Sequence, residues 1–206
     1  MRKPIIALGL AAAAAITLPL IAQPAPQTPG TKNLAAVTGG SYTVDAGHTL
    51  VRWEVDHLGF TPYFGIFGDV TGTLTIDPKA PNNAKVDVTI PVSKLTTASA
   101  GLTKHMFTPD FFGATPADAR FVSTSVAVDG DEAKITGNLT LNGVTKPVTL
   151  DADFYGAGKA PAQMGGKENV GFEAEATIKR SDFGIKYGIP AVSDEVKLDI
   201  VVAFQK

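Results

Sequence analysis

The residues of this sequence best suited to acid–base or metal chemistry are its three histidines, His48, His57 and His105. His105 precedes Asp110 in one segment, and a His–Asp pair can orient a ligand or move a proton, or simply fasten that segment to the rest of the fold. His48 lies beside a turn and is expected to be solvated. The three histidines match no H-x-H or H-x₃-H spacing, so we expect no metal site.

Other catalytic signals are missing from the sequence. It has no cysteine, which excludes thiol catalysis, thiolate metal sites and disulfides. Nucleophile elbows, P-loops and dinucleotide fingerprints are also absent. With 18 basic and 20 acidic residues, the chain lacks the basic excess typical of nucleic-acid binding. The sequence therefore predicts no catalytic residues, no cofactor and no nucleic-acid partner.

The first 22 residues are typical of a secretory signal peptide. Met1–Lys3 is a basic head, Ile5–Ile21 is an uncharged apolar run, and Ala22 ends a plausible cleavage site. The alternative is an uncleaved membrane anchor, but the run is shorter than a typical span of about 20 residues and contains Pro19 near its end. We therefore predict a signal peptide over 1–22 and a periplasmic protein.

The rest of the chain divides into a tether and one domain. Residues 23–40 are rich in Pro, Gly, Thr and Ala and predict a flexible linker. Residues 41–206 have the length of a single domain, which can bury enough apolar surface to be stable without disulfides.

Alternating apolar and polar residues predict antiparallel β-structure across this domain. The clearest example is 135–150, ITGNLTLNGVTKPVTL, where Asn142–Gly143 supplies the positive φ angles of a type I′ hairpin turn. In Thr49–His57, residues Val51, Trp53, Val55 and His57 share one face. Similar alternation predicts further strands at 41–45, 70–76, 86–92, 121–128, 170–179 and 196–204.

Three segments break the alternation. Leu58–Gly68 is too irregular for a strand throughout and too apolar for an ordinary loop, Ser93–Arg120 suggests a short helix with a Phe-rich loop, and Gly156–Asn169 reads as a glycine-rich loop. About eight strands with one helical crossover predict an all-β fold, an antiparallel eight-stranded barrel, because closure removes exposed sheet edges. A β-sandwich is the alternative.

The residues predicted to point inward leave open whether the barrel is filled or hollow. Gly72, Gly137, Ala152, Ala174 and Ala176 share the inward parity with larger apolar residues. The small residues either leave an elongated apolar cavity or pack against bulky neighbours, since an eight-stranded barrel can be filled or can hold one ligand.

Aromatic residues concentrate in the irregular segments rather than in the strands. They either plug one end of the barrel as additional core or line and gate the entrance to an apolar cavity. These residues are Phe60, Tyr63, Phe64, Phe67, Phe107, Phe111 and Phe112.

Four segments together resemble the YceI-like family of exported bacterial proteins. They are WEVDHLGFTPYFGIFGDVTGTL at 53–74, KHMFTPDFF at 104–112, the hairpin at 135–150, and GFEAEATIKRSDFGI at 171–185. The resemblance covers nearly all of 42–206 in the right order and spacing. It implies a lipocalin-like barrel that binds a long-chain polyisoprenoid or isoprenoid quinone without catalysis, often as a homodimer. Such a protein would contact a membrane transiently to exchange its lipid.

From the resemblance and the inward parity we predict a set of ligand-binding residues, with His57 and Tyr63 at the polar mouth of the cavity. The set is Val51, Trp53, Val55, His57, Tyr63, Phe64, Phe67, Val70, Leu74, Val88, Ile90, Phe111, Leu139, Val148 and Phe172. Two other hypotheses stay open. One is an isomerase or hydrolase that uses His105 and Asp110 on an apolar substrate, and the other is a filled barrel that serves as a stress or interaction module.

Overall fold

A computed structural model describes residues 28–206, so the predicted signal peptide and the first part of the predicted linker lie outside the described residues. The first strands are β1 (Gly30–Thr31), β2 (Gly40–Val44), β3 (Leu50–His57), β4 (Thr61–Phe67), β5 (Thr71–Ile76), β6 (Lys85–Ile90) and β7 (Leu95–Thr96). After helix α1 (Ala100–Met106) come β8 (Ala119–Asp129), β9 (Glu132–Leu141), β10 (Val144–Lys159), β11 (Glu168–Lys179) and β12 (Glu195–Gln205). Short 3₁₀ turns occupy Leu34–Ala36, Ala46–His48, Pro81–Asn83, Val92–Lys94, Ala162–Met164 and Arg180–Phe183.

Eight of these strands form a closed antiparallel barrel, which confirms the predicted all-β class. The ring runs β2, β5, β6, β8, β9, β10, β11 and β12, and β12 returns to β2 through Phe204 and Gln205. The pairing of β12 with β3 begins at Val201 and continues to Lys197. Strands β2 and β3 are therefore two halves of one bent strand, both held by β12.

The hairpin of β3 and β4 corrects one expectation from the sequence. The segment 58–68 was expected to be largely irregular, but Thr61–Phe67 forms a strand that pairs with β3 from Val51 to His57. Gly65 interrupts the alternation of large side chains, which hides the strand in the sequence. A glycine is needed at this position because residue 65 lies against the indole ring of Trp53, and a Cβ there would lie only 2.5 Å from Cζ2.

The glycine-rich segment after the central hairpin is also a strand for part of its length. Gly156, Ala157 and Gly158 belong to β10 and pair with β11, and the connecting loop covers only 160–167. A register shift between Phe154 and Gly156 breaks the alternation there, which explains why the sequence pattern indicates a loop.

Two clusters of buried apolar residues lie toward the two ends of the barrel. One cluster contains Trp53, Leu95, Met106, Phe121 and Phe183, and α1 and its loop pack on it. The other contains Tyr42, Leu74, Phe154, Val170 and Phe204 at the opposite end. We call these ends the helix end and the N-terminal end.

The turn after β11 is organised by a buried arginine. Arg180 is only 6% exposed, and its guanidinium donates to the carbonyl oxygens of Ser193 at 2.8 Å, Tyr187 at 2.7 Å and Val192 at 2.9 Å. A buried charge that is hydrogen-bonded in this way replaces its hydration with fixed carbonyl dipoles. The loop between β11 and β12 therefore depends on this one side chain.

We expect Arg180→Met to lower the free energy of unfolding by about 2–4 kcal/mol, because it removes charged donors and leaves buried carbonyl groups unpaired. Urea unfolding followed by circular dichroism would measure the change. The control is Lys179→Met, since Lys179 is exposed at the adjacent position, and its effect should stay within about 0.5 kcal/mol. Equal losses in the two variants would contradict this role of Arg180.

Candidate functional site

The interior of the barrel is hollow, with a cavity of about 250 Å³. Leu198, Ile200, Val202 and Phe204 follow one another along the inner face of β12 and all line it. At about 3.3 Å per residue, these four positions span roughly 20 Å. The cavity is therefore elongated, and its volume is slightly below the range of about 300–1,000 Å³ for small-molecule sites.

The small residues on the inner face have two different effects. Gly65 and Gly137 accommodate large rings, since a Cβ at Gly137 would lie 2.7 Å from Cε2 of Phe121. Ala152 and Ala174 instead face each other across β10 and β11, and both line the cavity. Bulky and small residues thus pack together near the helix end, while the paired alanines leave space further along the barrel.

Aromatic residues close the helix end. Phe107, Phe111 and Phe112 pack against the buried cluster there, and Phe112 contacts Phe67 with ring centroids 6.3 Å apart. These three residues of the crossover serve as additional core. Phe67 itself lines the cavity.

The cavity opens at the N-terminal end. Leu34 and Val37 line it there together with Pro81, Asp131 and Glu132, and Leu34 is 47% exposed. The two carboxylates lie at the turn between β8 and β9. Among the lining residues that the structure describes, the polar side chains are these two and Thr49. Since Thr49 is hydrogen-bonded to the backbone of Ala203, the interior offers an apolar surface.

Residues 30–38 cross this opening, and we call them the N-terminal strap. The strap begins with β1, contributes Leu34 and Val37 to the lining, and packs Ala36 and Val37 on the buried cluster of the N-terminal end. The sequence predicted a flexible linker here. The apolar residues of 34–37 explain the difference, because they cover apolar surface that the barrel leaves at its mouth.

Polar contacts hold both ends of the strap. Lys32 Nζ lies 2.7 Å from Asp131 Oδ2, and this hydrogen bond lowers the pKa of Asp131. Its pairing with Lys32 is therefore present at neutral pH and is lost in acid as the carboxylate protonates. At the other end Thr38 hydrogen-bonds Glu168, and the Tyr42 hydroxyl donates to the Thr38 carbonyl oxygen at 2.7 Å.

Glycines of β10 allow the strap to approach. Strand β9 ends its pairing with β10 at Glu132 and Asp153, and β1 takes its place further along by pairing with Ala157 and Gly158. A Cβ on Gly158 would collide with the carbonyl oxygen of Pro29. The strap thus completes the wall at a point where only glycine fits.

Nine of the fifteen predicted ligand-binding residues line the cavity, and the other six do not. The nine are Val51, Phe67, Val70, Leu74, Val88, Ile90, Leu139, Val148 and Phe172. Their part in binding stays a prediction, but the structure brings them together around one space.

The six remaining residues lie around the helix end or outside the barrel. Trp53, Val55, Tyr63 and Phe111 belong to the core cluster or pack on it and do not line the cavity, a difference that the sequence missed because parity does not give depth along the barrel. Phe64 is exposed on the outer face, with the Arg52 guanidinium 4.6 Å from its ring centre. His57 is exposed at the end of β3. The sequence had predicted His57 and Tyr63 at the mouth of the cavity. Both residues instead lie at the opposite end of the barrel.

Sequence reasoning missed several lining residues. Ile135, Leu150, Ile200 and Val202 have the inward parity, so the alternation itself could have identified them. Phe154 was hidden by the adjacent register shift. Leu34 and Val37 had one usable signal, the short apolar run LAAV within an otherwise polar segment.

The histidines take no part in the cavity lining. His105 Nε2 lies 2.9 Å from Asp110 Oδ2, and its ring packs edge-on against Phe111 and Tyr187 at 5.2 and 5.1 Å. The predicted His–Asp pair thus exists and lies within the crossover, and the packing of the His105 ring on Tyr187 joins the crossover to the loop after β11. Within residues 28–206 no group of side chains is arranged to hold a metal ion, and no helix is long and apolar enough to cross a membrane.

A closed antiparallel barrel around an elongated apolar cavity defines the lipocalin-like class of β-proteins. Within this class, the chain belongs to the YceI-like domain family, whose model it matches over residues 42–204. Protein YceI of Shigella flexneri is 45% identical over 170 residues, which cover 81% of this chain and 87% of that protein.

Solved structures show the same fold. A YCEI protein from Campylobacter jejuni is 33% identical, with a TM-score of 0.62 over 73% of this chain and 89% of that one. A polyisoprenoid binding domain from Saccharophagus degradans has a TM-score of 0.59 over 80% of this chain and 97% of that one. Since its identity is 16%, that likeness is one of fold.

We expect Gly158→Ala to displace the strap, because the added methyl group occupies the space of the Pro29 carbonyl oxygen. Hydrogen exchange at residues 30–38 should then be at least tenfold faster than in the unchanged protein. Gly30→Ala is the matched control, since a Cβ at Gly30 meets nothing within 4 Å. Unchanged exchange in Gly158→Ala would show that the strap tolerates a side chain there.

Proposed function

We propose that this protein binds a long-chain polyisoprenoid lipid or isoprenoid quinone without covalent chemistry, and stores or carries it in the bacterial cell envelope. The observation that carries the proposal is the apolar cavity, which is long, narrow and open at the N-terminal end. The description of the Saccharophagus degradans domain as polyisoprenoid-binding supports the same ligand class.

The energetics of burial suit such a ligand. Each CH₂ group transferred from water to an apolar site gains about 0.8 kcal/mol, so each five-carbon isoprene unit contributes roughly 3–4 kcal/mol before the costs of association. A chain of several units can therefore bind tightly with few polar contacts. The lining matches this requirement, because its polar side chains are hydrogen-bonded to backbone or lie at the mouth.

The proposed function also includes a location, the periplasm, and a route by which the ligand is exchanged. The basic head and apolar run of 1–22 support export to the periplasm. A lipid held in the cavity would have to enter and leave at a membrane surface, so transient membrane contact belongs to the proposal.

The enzyme hypothesis has less support. His105 and Asp110 pair at the surface of the crossover, and neither residue lines the cavity where an apolar substrate would lie. An acid and a base must come within hydrogen-bond reach of the reacting group. We therefore place no reaction at this pair.

Organic extraction followed by mass spectrometry tests the proposed function. Protein purified after expression of the full chain should release a stoichiometric isoprenoid lipid or quinone. An empty extract, repeated after the protein is incubated with isoprenoid lipids, would contradict lipid binding and favour a barrel that serves as a stress or interaction module.

We expect Ala174→Leu to reduce the extracted lipid about tenfold or more, because the larger side chain projects from β11 into the cavity that Ala174 lines. The matched control is Thr177→Leu, which adds an apolar side chain at an exposed position of the same strand and should leave the yield unchanged. Equal yields from both variants would place the ligand elsewhere.

We expect His105→Ala to retain the full amount of extracted lipid, because the histidine lies outside the lining. The same extraction measures this. Accumulation of a chemically different lipid in the variant would favour the enzyme hypothesis, since it would show that His105 is needed for a conversion.

A further inference from the structure

The two ends of the N-terminal strap are held very differently. The C-terminal end is tied to the core of the barrel, because the hydroxyl of Tyr42, a residue only 2% exposed, donates to the Thr38 carbonyl oxygen at 2.7 Å. The ammonium of Lys206 donates to the next carbonyl oxygen, that of Gly39, also at 2.7 Å. This end of the strap is therefore fixed.

The other end of the strap is held only by exposed contacts. Strand β1 has two residues, both exposed, which pair with β10. The ion pair of Lys32 and Asp131 is exposed as well, with 62% and 48% of the two side chains accessible, and pairs of this kind contribute little to stability. Few buried contacts and exposed backbone hydrogen bonds are typical of a segment that opens locally. This end can therefore detach while the barrel stays folded.

The middle of the strap lies in the path of a ligand. Leu34 and Val37 line the cavity. Among residues 30–38 only Ala36 and Val37 are half-buried, and the others are exposed. Leu34 faces the cavity on one side and solvent on the other, since it is 47% exposed. A lipid that enters or leaves through this opening must therefore pass the strap.

Charge holds the detachable end over the mouth. The hydrogen bond to Asp131 raises the pKa of Lys32, and the nearby carboxylates of Asp153 and Glu132 raise it further. Asp131 and Glu132 both line the mouth of the cavity. One cation on the strap thus faces three carboxylates on the barrel.

We propose that the N-terminal strap is a gate on the cavity. Residues 30–37 swing away from the mouth about the fixed end at Thr38 to admit or release the lipid, and Lys32 is the latch that holds them closed. This inference rests on the proposed function and adds how exchange of the ligand is controlled. The match to the family model begins at residue 42, so the gate lies outside the part of the chain that the family model matches.

An uncharged apolar dye, N-phenyl-1-naphthylamine, tests the gate through the energy that it receives from tryptophan. The chain has one tryptophan, Trp53, in the buried cluster of the helix end, so this energy transfer reports dye inside the barrel. Mixing the dye with protein expressed from the full chain gives the rate of uptake. Mixing loaded protein with phosphatidylcholine vesicles, which collect the released dye, gives the rate of release.

A disulfide between the strap and the barrel should lock the gate. Thr31 and Ala157 are partners in the register of β1 and β10. Antiparallel partners have Cα atoms about 4.5–5.5 Å apart, which a disulfide can span. In Thr31→Cys/Ala157→Cys, oxidation should slow both uptake and release about tenfold or more and change Kd less than about twofold, because a gate limits both directions equally. Reductant should restore both rates.

Two controls accompany the locked variant. Reductant should not change the rates of the unchanged protein, which has no cysteine. Thr177→Cys/Lys197→Cys is the matched disulfide, because these two exposed residues are register partners on the ring strands β11 and β12. Its oxidation should change neither rate.

Lys32→Gln removes the charge of the latch without a crosslink. It should speed both uptake and release by about two- to fivefold, the equivalent of one exposed ion pair, and change Kd less than about twofold. Lys134→Gln is the matched control, because Lys134 forms an exposed ion pair with Asp151 between the ring strands β9 and β10. Its rates should equal those of the unchanged protein.

Every other result overturns the gate. Unchanged rates in the oxidised strap variant, or equal slowing in the control disulfide, would mean that the ligand does not pass the strap. Slower release with unchanged uptake would mean that the strap only contacts the ligand. If the cysteine pair fails to fold or to oxidise, unchanged rates in Lys32→Gln overturn the proposal by themselves.

Failure of the proposed function gives a different result. A protein that binds the dye but yields no isoprenoid on extraction contradicts the proposed function, while the rates still decide whether the strap is a gate. A protein that binds neither the dye nor isoprenoid lipids contradicts both proposals.

Discussion

The pairing of β12 with β2 and then with β3 closes the barrel, and the rest of the structure depends on it. Phe204 and Gln205 pair with β2, while Lys197–Val201 pair with β3. Strand β12 therefore pairs with both β2 and β3, and its pairing with β2 closes the ring. Closure satisfies the backbone hydrogen bonds on both sides of each ring strand, which a flat sheet of the same strands would leave open at two edges.

Closure also explains why the interior can remain hollow. Once the backbone ring is complete, side chains fill the interior only where their volumes suffice. Rings lie against Gly65 and Gly137 near the helix end, whereas the neighbouring residues Ala152 and Ala174 on β10 and β11 are too small to fill the interior in front of them. The cavity is thus a consequence of where alanine and glycine occur on the inner face.

The alternation of residues was sufficient to predict the all-β class and the central hairpin, because a wet outer face and an apolar inner face produce a period of two. The barrel needed a second argument, that closure removes exposed sheet edges, since alternation also fits a β-sandwich. It failed where another contact replaced that pattern. Gly65 on β4 lies against an indole ring, and Gly158 on β10 lies against the strap. The glycines make the sequence pattern of these two segments resemble that of a loop. Parity also gives no depth along the barrel, which is why Val51 and Trp53 were treated alike although only Val51 lines the cavity. The strap had only the short apolar run LAAV as a signal in the sequence, since its apolar residues have a partner only after the barrel mouth exists.

The strap also determines the order in which the chain can complete its fold. Gly30 and Thr31 pair with Gly158 and Ala157, which are synthesised much later, whereas successive strands from β8 to β12 pair with their neighbours in sequence. Contacts between residues far apart in sequence form slowly, because the long intervening chain must first be ordered. The residues synthesised first among those described are therefore among the last to find their partners, and the wall of the mouth is completed only after most of the barrel has been made.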